Sequence, residues 1–302
     1  MNDALPAHAP LESIEAVDLG LGSAGYIASR QISTAIYLAH HLQKPILVEG
    51  PAGVGKTELA KSVATWMKLP LIRMQCYEGL DVSSTLYEWN YAKQILRIRM
   101  EENSARAIDE KEAAIFSEPY LLARPLLQAL RHHDRSPVLL IDEIDRADEE
   151  FEAFLLEVLS EYQVTIPELG TIRTSHPPYV VLTSNRIREL GDALKRRCLY
   201  LWIDYPSLEK ELQIVRMKVS GASETMARQL CTFMQALREL DLDKRPGVAE
   251  TLDWGLALCE LGGDGLSVEK IKSSLGCVVK SRRDIERVQG ALPGLLERSL
   301  AG

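Results

Sequence analysis

Gly50-Pro51-Ala52-Gly53-Val54-Gly55-Lys56-Thr57 is the stretch on which the reading of this 302-residue chain turns. Its spacing is G-x-x-x-x-G-K-[ST]. Just before it, Ile46-Leu47-Val48 is an apolar run that predicts a short buried strand. Just after it, Leu59, Val63 and Trp66 fall at helical spacing. Strand, glycine turn and helix in that order are the setting in which such a turn cradles phosphate. Glycines let the backbone curl around an anion with its N–H groups inward, and the helix start adds the positive end of its dipole. Lys56 reaches the β- and γ-phosphates as a point charge, and the Thr57 hydroxyl faces Mg²⁺. The expected nucleotide-binding residues are Gly50, Pro51, Ala52, Gly53, Val54, Gly55, Lys56 and Thr57, with Glu58 beside them; ATP and Mg²⁺ are the expected cofactors.

Further along, Val138-Leu139-Leu140-Ile141 is a continuous apolar run, the pattern of a central parallel strand covered on both faces. It ends in Asp142-Glu143, which places two acids in the crevice where α/β folds bind ligands. Asp142 is expected to hold Mg²⁺ through water, and Glu143 to act on the attacking water as general base. Asp145 and Asp148-Glu149-Glu150 are expected at a helix start, where acids complement the dipole. Another apolar run closes in Thr183-Ser184-Asn185, where Asn185 is placed to orient water or touch the γ-phosphate. The chain has no guanine-selecting N-K-x-D stretch, which favours ATP over GTP. Lys195-Arg196-Arg197 ends a predicted helix and, taken alone, is a solvated helix end.

Apolar strands at 46–48, 69–74, 138–141, 179–183 and 199–203 alternate with helical stretches, so the expected fold is α/β with a parallel sheet. Residues 162–174 alternate around Gly170 and predict a hairpin. After Pro206 the strands stop, and residues 207–300 are mainly helical. The expected organisation is a loose arm over 1–26, an α/β nucleotide-binding domain over 27–205 and a helical domain over 206–302. Residues 101–114 predict a charged helix. Tyr87, Trp89 and Tyr91 alternate as on one strand face, and both core packing and contact with a client stay open for them.

Composition sets the outer bounds. Hydrophobic residues make up 46% and charged residues 26%, the balance of a soluble globular chain. A net charge of −8 argues against a dominant nucleic-acid role. Five scattered cysteines without C-x-x-C spacing predict neither a zinc site nor a disulfide framework. The first residues predict no signal peptide, and no apolar stretch is long enough to span a bilayer. A cytoplasmic protein is expected, with docking on a membrane-bound partner left open.

With these residues in order, the chain over 27–300 resembles the AAA+ ATPases of the MoxR family. The resemblance rests on Gly50–Thr57, on 138–147 (VLLIDEIDRA), on Ser184-Asn185 and on Ala193-Leu194-Lys195-Arg196-Arg197. The stretch at 76–99, CYEGLDVSSTLYEWNYAKQILRIR, looks like the insert in the second helix of this clade, and 162–174 like its hairpin. The insert is most similar to CoxD-type members, linked to maturation of carbon monoxide dehydrogenase and related molybdenum hydroxylases. The resemblance implies an α/β nucleotide domain with a helical lid and a hexameric ring. It gives Asn185 to a first sensor, and Arg197 or Arg196 to a finger acting on the neighbour's γ-phosphate. It also implies a von Willebrand factor A-type partner and a remodelling role. Glu250 stands where many relatives carry a lid arginine, with Arg245 as the alternative. A nucleic-acid motor and a non-hydrolysing ATP-binding scaffold are the competing readings.

Overall fold

The computed structural model describes residues 11–101, 108–132, 135–262 and 264–301. Residues 1–10 of the expected arm and 102–107 of the expected charged helix lie outside them. The strands in chain order are β1 (Ile46–Glu49), β2 (Leu71–Gln75), β3 (Tyr87–Trp89), β4 (Leu121–Ala123), β5 (Val138–Asp142), β6 (Gln163–Ile166), β7 (Gly170–Arg173), β8 (Tyr179–Ser184) and β9 (Leu199–Trp202). Five of them form one parallel sheet in the order β2-β5-β8-β1-β9. β3 with β4, and β6 with β7, form two separate antiparallel ribbons.

The apolar runs sit where their composition puts them. β1 and β5 are wholly buried and β8 is buried beyond its first residue, while the edge strands β2 and β9 are partly exposed. Alternate residues feed two apolar clusters, one on each face. Val48, Leu140 and Val181 pack with Ile36 and Leu59 from the helices Arg30–Leu42 and Lys56–Met67. Leu47, Leu139 and Leu182 pack with Leu126 and Leu155 from the helices Pro125–Leu130 and Glu149–Glu161. Each such side chain contributes roughly 1.5–3 kcal/mol by leaving water, and together they fix the sheet that carries the site.

The stretch expected as a loose arm contains the helix Ile14–Ser23, capped by Ser13 and anchored by Val17 and Leu21. Gly20 in it serves packing: a Cβ there would lie 1.9 Å from Cε2 of Trp66. The aromatics of the insert also divide. Trp89 is buried against Phe116, with ring centroids 5.3 Å apart, whereas Tyr91 opens the helix Tyr91–Met100 and is exposed. Asn90 ends the alternation by capping that helix, its Oδ1 accepting from the Lys93 N–H at 3.0 Å.

Residues beyond 207 build a third cluster of their own around Phe233 and Trp254. Buried Arg238 there donates to Glu211 at 2.7 and 2.6 Å, and Thr251 donates to Glu211 at 2.6 Å. This ties together the helices Leu208–Lys218, Glu224–Arg238 and Val248–Glu260. Removing one partner of such a pair costs about 3–5 kcal/mol, because the other charge is left buried and alone.

Candidate functional site

The strand order brings the carboxyl ends of β5, β8 and β1 side by side, with β8 between the other two. Three loops leave the sheet there: the glycine turn after β1, Glu143 after β5 and Asn185 after β8. Gly55 caps the helix Lys56–Met67 with φ +96°, a left-handed turn that passes the loop into the helix start, where anions are favoured.

Lys56 is buried under this loop. Its ammonium donates to the carbonyls of Gly50 at 2.7 Å and Pro51 at 2.6 Å, and to Oδ1 of Asn185 at 2.8 Å. Burial pushes Lys56 down from its ordinary value to about 8, against the pull of Asp145, Asp142, Glu143 and Glu49. Thr57 donates from Oγ1 to Oδ1 of Asp142 at 2.9 Å. That same oxygen accepts from Thr183 Oγ1 at 2.6 Å, and Thr183 in turn accepts the Glu143 N–H at 2.9 Å. Glu143 sits in the left-handed region, with φ 56° and ψ 50°, and its carboxylate pairs with Arg146 at 2.6 Å.

The donor set fits a magnesium triphosphate. Thr57 and Asp142 face each other as a hydroxyl and a carboxylate, oxygen ligands suited to a hard cation. The Lys56 acceptors are three oxygens in positions that phosphate oxygens can take over. A cleft of about 460 Å³ runs on from this point. Ala52 to Glu58 line it, together with the apolar residues Ile27, Ile203, Pro206, Ile214, Met217 and Leu252. That apolar lining suits a flat heterocycle. Tyr26 also lines the cleft, its phenol pushed up by burial and by Glu58.

Several residues escaped the sequence reading. Arg73 on β2 donates to Oδ2 of Asp142 through Nε at 3.1 Å and through a terminal nitrogen at 2.6 Å. Asp145 lies in the first turn of the short 3-10 helix Ile144–Arg146, an expected helix start, and is also buried there: its Oδ2 accepts the N–H groups of Asn185 at 3.0 Å and Ile187 at 2.9 Å. It therefore fixes the loop that presents Asn185. Asp148 starts the next helix, accepting the Phe151 N–H at 2.8 Å. Glu49 ends β1 buried, accepting from Ser184 at 3.2 Å and Tyr200 at 3.0 Å.

The helical region closes directly on the loop. Ala249 donates its N–H to the Gly53 carbonyl at 3.1 Å. A Cβ on Gly247 would lie 2.7 Å from the Ala52 carbonyl oxygen, and one on Gly53 would lie 3.1 Å from the Gly247 Cα. Glu250 spends its carboxylate on its own helix start, accepting the Gly247 N–H at 2.9 Å. Arg245 is exposed and does not line the cleft. Glu58 lines the wall with its carboxylate 3.7 Å from both Lys218 and Lys61. Arg196 and Arg197 are exposed on the helix Asp192–Arg197, which leads into the opposite end of β9, and Arg197 donates to Ser160 at 2.9 Å. Neither lines this chain's own cleft.

Comparison with known proteins gives a consistent picture. An uncharacterized protein of Staphylococcus saprophyticus is 24% identical over 262 residues, covering 85% of this chain and 90% of its own. The denitrification regulatory protein NirQ of Pseudomonas aeruginosa is 23% identical over 214 residues, 68% of this chain and 72% of its own. The gas vesicle ATPase GvpN of Haloferax mediterranei is 27% identical over 221 residues, 70% of this chain and 61% of its own. Among solved structures, a RuvB mutant covers 82% of this chain and 67% of its own at TM-score 0.48 and 18% identity. Residues 45–198 match the family described as AAA domain (dynein-related subfamily). That span is more than half of the chain and takes in the glycine loop, Asp142, Glu143 and Asn185. The chain belongs to the dynein-related subfamily of AAA domains.

Proposed function

We propose that this chain is a Mg²⁺-dependent ATPase of the MoxR type that remodels a partner protein as part of a ring. The observation that carries the reading is the meeting of Lys56, Thr57, Asp142, Glu143 and Asn185 at the carboxyl ends of three adjacent strands. Lys56 exchanges its carbonyl acceptors for phosphate oxygens, and the loop amides hold the rest of the anion. Thr57 and Asp142 hold Mg²⁺, which when bound neutralises charge spread over the phosphate oxygens. Glu143 takes the water and its proton; its pairing with Arg146 must part first. Asn185, tied to Lys56 and fixed by Asp145, senses the γ-phosphate position. The contact between Gly53 and the helix start at Gly247 passes changes at the loop to the helical region, which works as a lid.

Arg197 or Arg196, exposed and away from its own cleft, is the finger for a neighbour in a hexamer; such a group contributes about 10³–10⁵ in rate. The ATPase name of the gas vesicle relative supports hydrolysis. The insert at 76–99 supports the narrower reading, with a von Willebrand factor A-type partner and a molybdenum hydroxylase as client.

The test is phosphate release by Glu143→Gln. The rate should fall by about 10²–10⁴ with ATP still bound, and rates equal to wild type would remove the base assignment. The same ATP-holding variant should retain a von Willebrand factor A-type protein in a pull-down; recovery of DNA instead would sink the client reading.

A further inference from the structure

A second cleft, of about 740 Å³, lies between the two ribbons. None of its lining residues lines the phosphate-loop cleft. Tyr87, Glu88 and Trp89 of β3 line it, and so do Gln163, Val164 and Thr165 of β6. Side chains alternate along a strand, so a strand met by its face offers every second residue. Three consecutive residues on one cleft mean that the strand is met along its edge. The other edges are taken, β3's by β4 and β6's by β7, and no residue of β4 or β7 reaches the cleft. Among the described residues neither β3 nor β6 pairs with a further strand. The cleft is therefore bordered on both sides by backbone N–H and C=O groups that no strand satisfies.

Exposed edges are ordinarily blunted by short length, charge or proline. β3 is three residues long and carries Glu88, an acid that disfavours an acidic chain, whereas β6 reads Gln-Val-Thr-Ile, with neither charge nor proline. Between the edges, Leu86, Phe154 and Val158 give an apolar floor. The rim is acidic: Asp81, Glu88 and Glu157 are exposed on it, and among the described residues no Lys, Arg or His lines the cleft. Arg124 pairs with Glu88 from outside and leaves the other two acids in excess.

We infer that this cleft binds an extended, cationic segment of a partner protein by strand addition between β3 and β6. Backbone hydrogen bonds to the two edges supply affinity, alternate apolar side chains enter the floor, and basic side chains meet the rim. The inference goes beyond the hydrolysis reading and does not rest on it. A nucleic-acid strand is opposed by the same carboxylates.

The test uses the full, nucleotide-free chain and a fluorescein-labelled peptide of alternating lysine and valine, read by fluorescence anisotropy at physiological ionic strength. Saturable binding is expected. The same peptide N-methylated on alternate residues should bind at least about tenfold more weakly, because it cannot complete the edge bonds. Glu157→Lys should weaken the parent peptide several-fold with an unchanged melting temperature, and Glu157→Gln by less. Equal binding of the methylated peptide would overturn strand addition. No effect of either Glu157 variant would overturn the site.

Discussion

The phosphate-loop cleft and the ribbon cleft keep their polar groups in opposite states. At the first, the charged side chains are already engaged. Lys56 gives hydrogen bonds to three oxygens. Asp142 receives four, two from Arg73 and one each from Thr57 and Thr183. Both residues are buried, and a buried charge without partners costs several kcal/mol. At the second, the edges of β3 and β6 face an open cleft and carry no strand partner among the described residues. Such groups are satisfied by water until a chain displaces it. The difference teaches what each place can hold. The first exchanges one set of fixed partners for another and suits a compact, highly charged ligand. The second adds partners where none were and suits a backbone.

Of the two substitutions outside the residues that meet the nucleotide, the larger effect is expected from Gly247→Ala. Its Cβ would press on the Ala52 carbonyl oxygen at 2.7 Å, so the helix Val248–Glu260 must move off the loop. Overpacking of this kind costs about 1–3 kcal/mol, roughly one to two orders of magnitude in ATP affinity. Titration with a fluorescent ATP analogue checks it. Peptide binding at the ribbons should not change, and a parallel loss there would mean that the two clefts are not independent.

A smaller effect is expected from Arg73→Gln. Arg73 holds Oδ2 of Asp142 and leaves Oδ1 facing Thr57. Losing the partner of a metal-ligating carboxylate commonly costs about 10–100-fold in metal affinity. Arg73 is half-exposed, which reduces this to about 3–10-fold. Phosphate release titrated with Mg²⁺ should show the shift, with Arg73→Lys in between and the KM for ATP unchanged. An unaltered or tighter Mg²⁺ requirement would remove Arg73 from this role.

The first cleft was largely legible in the chain, for a local reason. Gly50 to Thr57 lies between an apolar run and a helical repeat, and Asp142 and Asn185 each end an apolar run. Each of these signals fits within about ten residues. Arg73 gave no such signal, because only the register pairing Gln75 with Asp142 brings its edge strand against the acid. Asp145 shows its helix start in the sequence but not its hold on the Asn185 loop, which is a tertiary fact. The helix Ile14–Ser23 gives no signal within the expected arm, because the close approach at Gly20 is to Trp66, far off in the sequence. The ribbon cleft was half legible. The hairpin at 162–174 shows in its alternation around Gly170, but β3 pairs with Leu121–Ala123, a three-residue strand too short to carry a period.

The central claim, that a buried ammonium under the glycine loop grips a triphosphate, is tested most directly by ATP affinity against pH for wild type beside Lys56→Met. In the free protein Lys56 loses its proton as pH rises through about 8. The anion needs the charged form, so above that pH binding must take up a proton. Wild-type affinity should be level below about pH 8 and then fall, approaching tenfold per pH unit. Lys56→Met should bind far more weakly and with no such slope. Matching affinities and matching profiles for the two proteins would contradict the account.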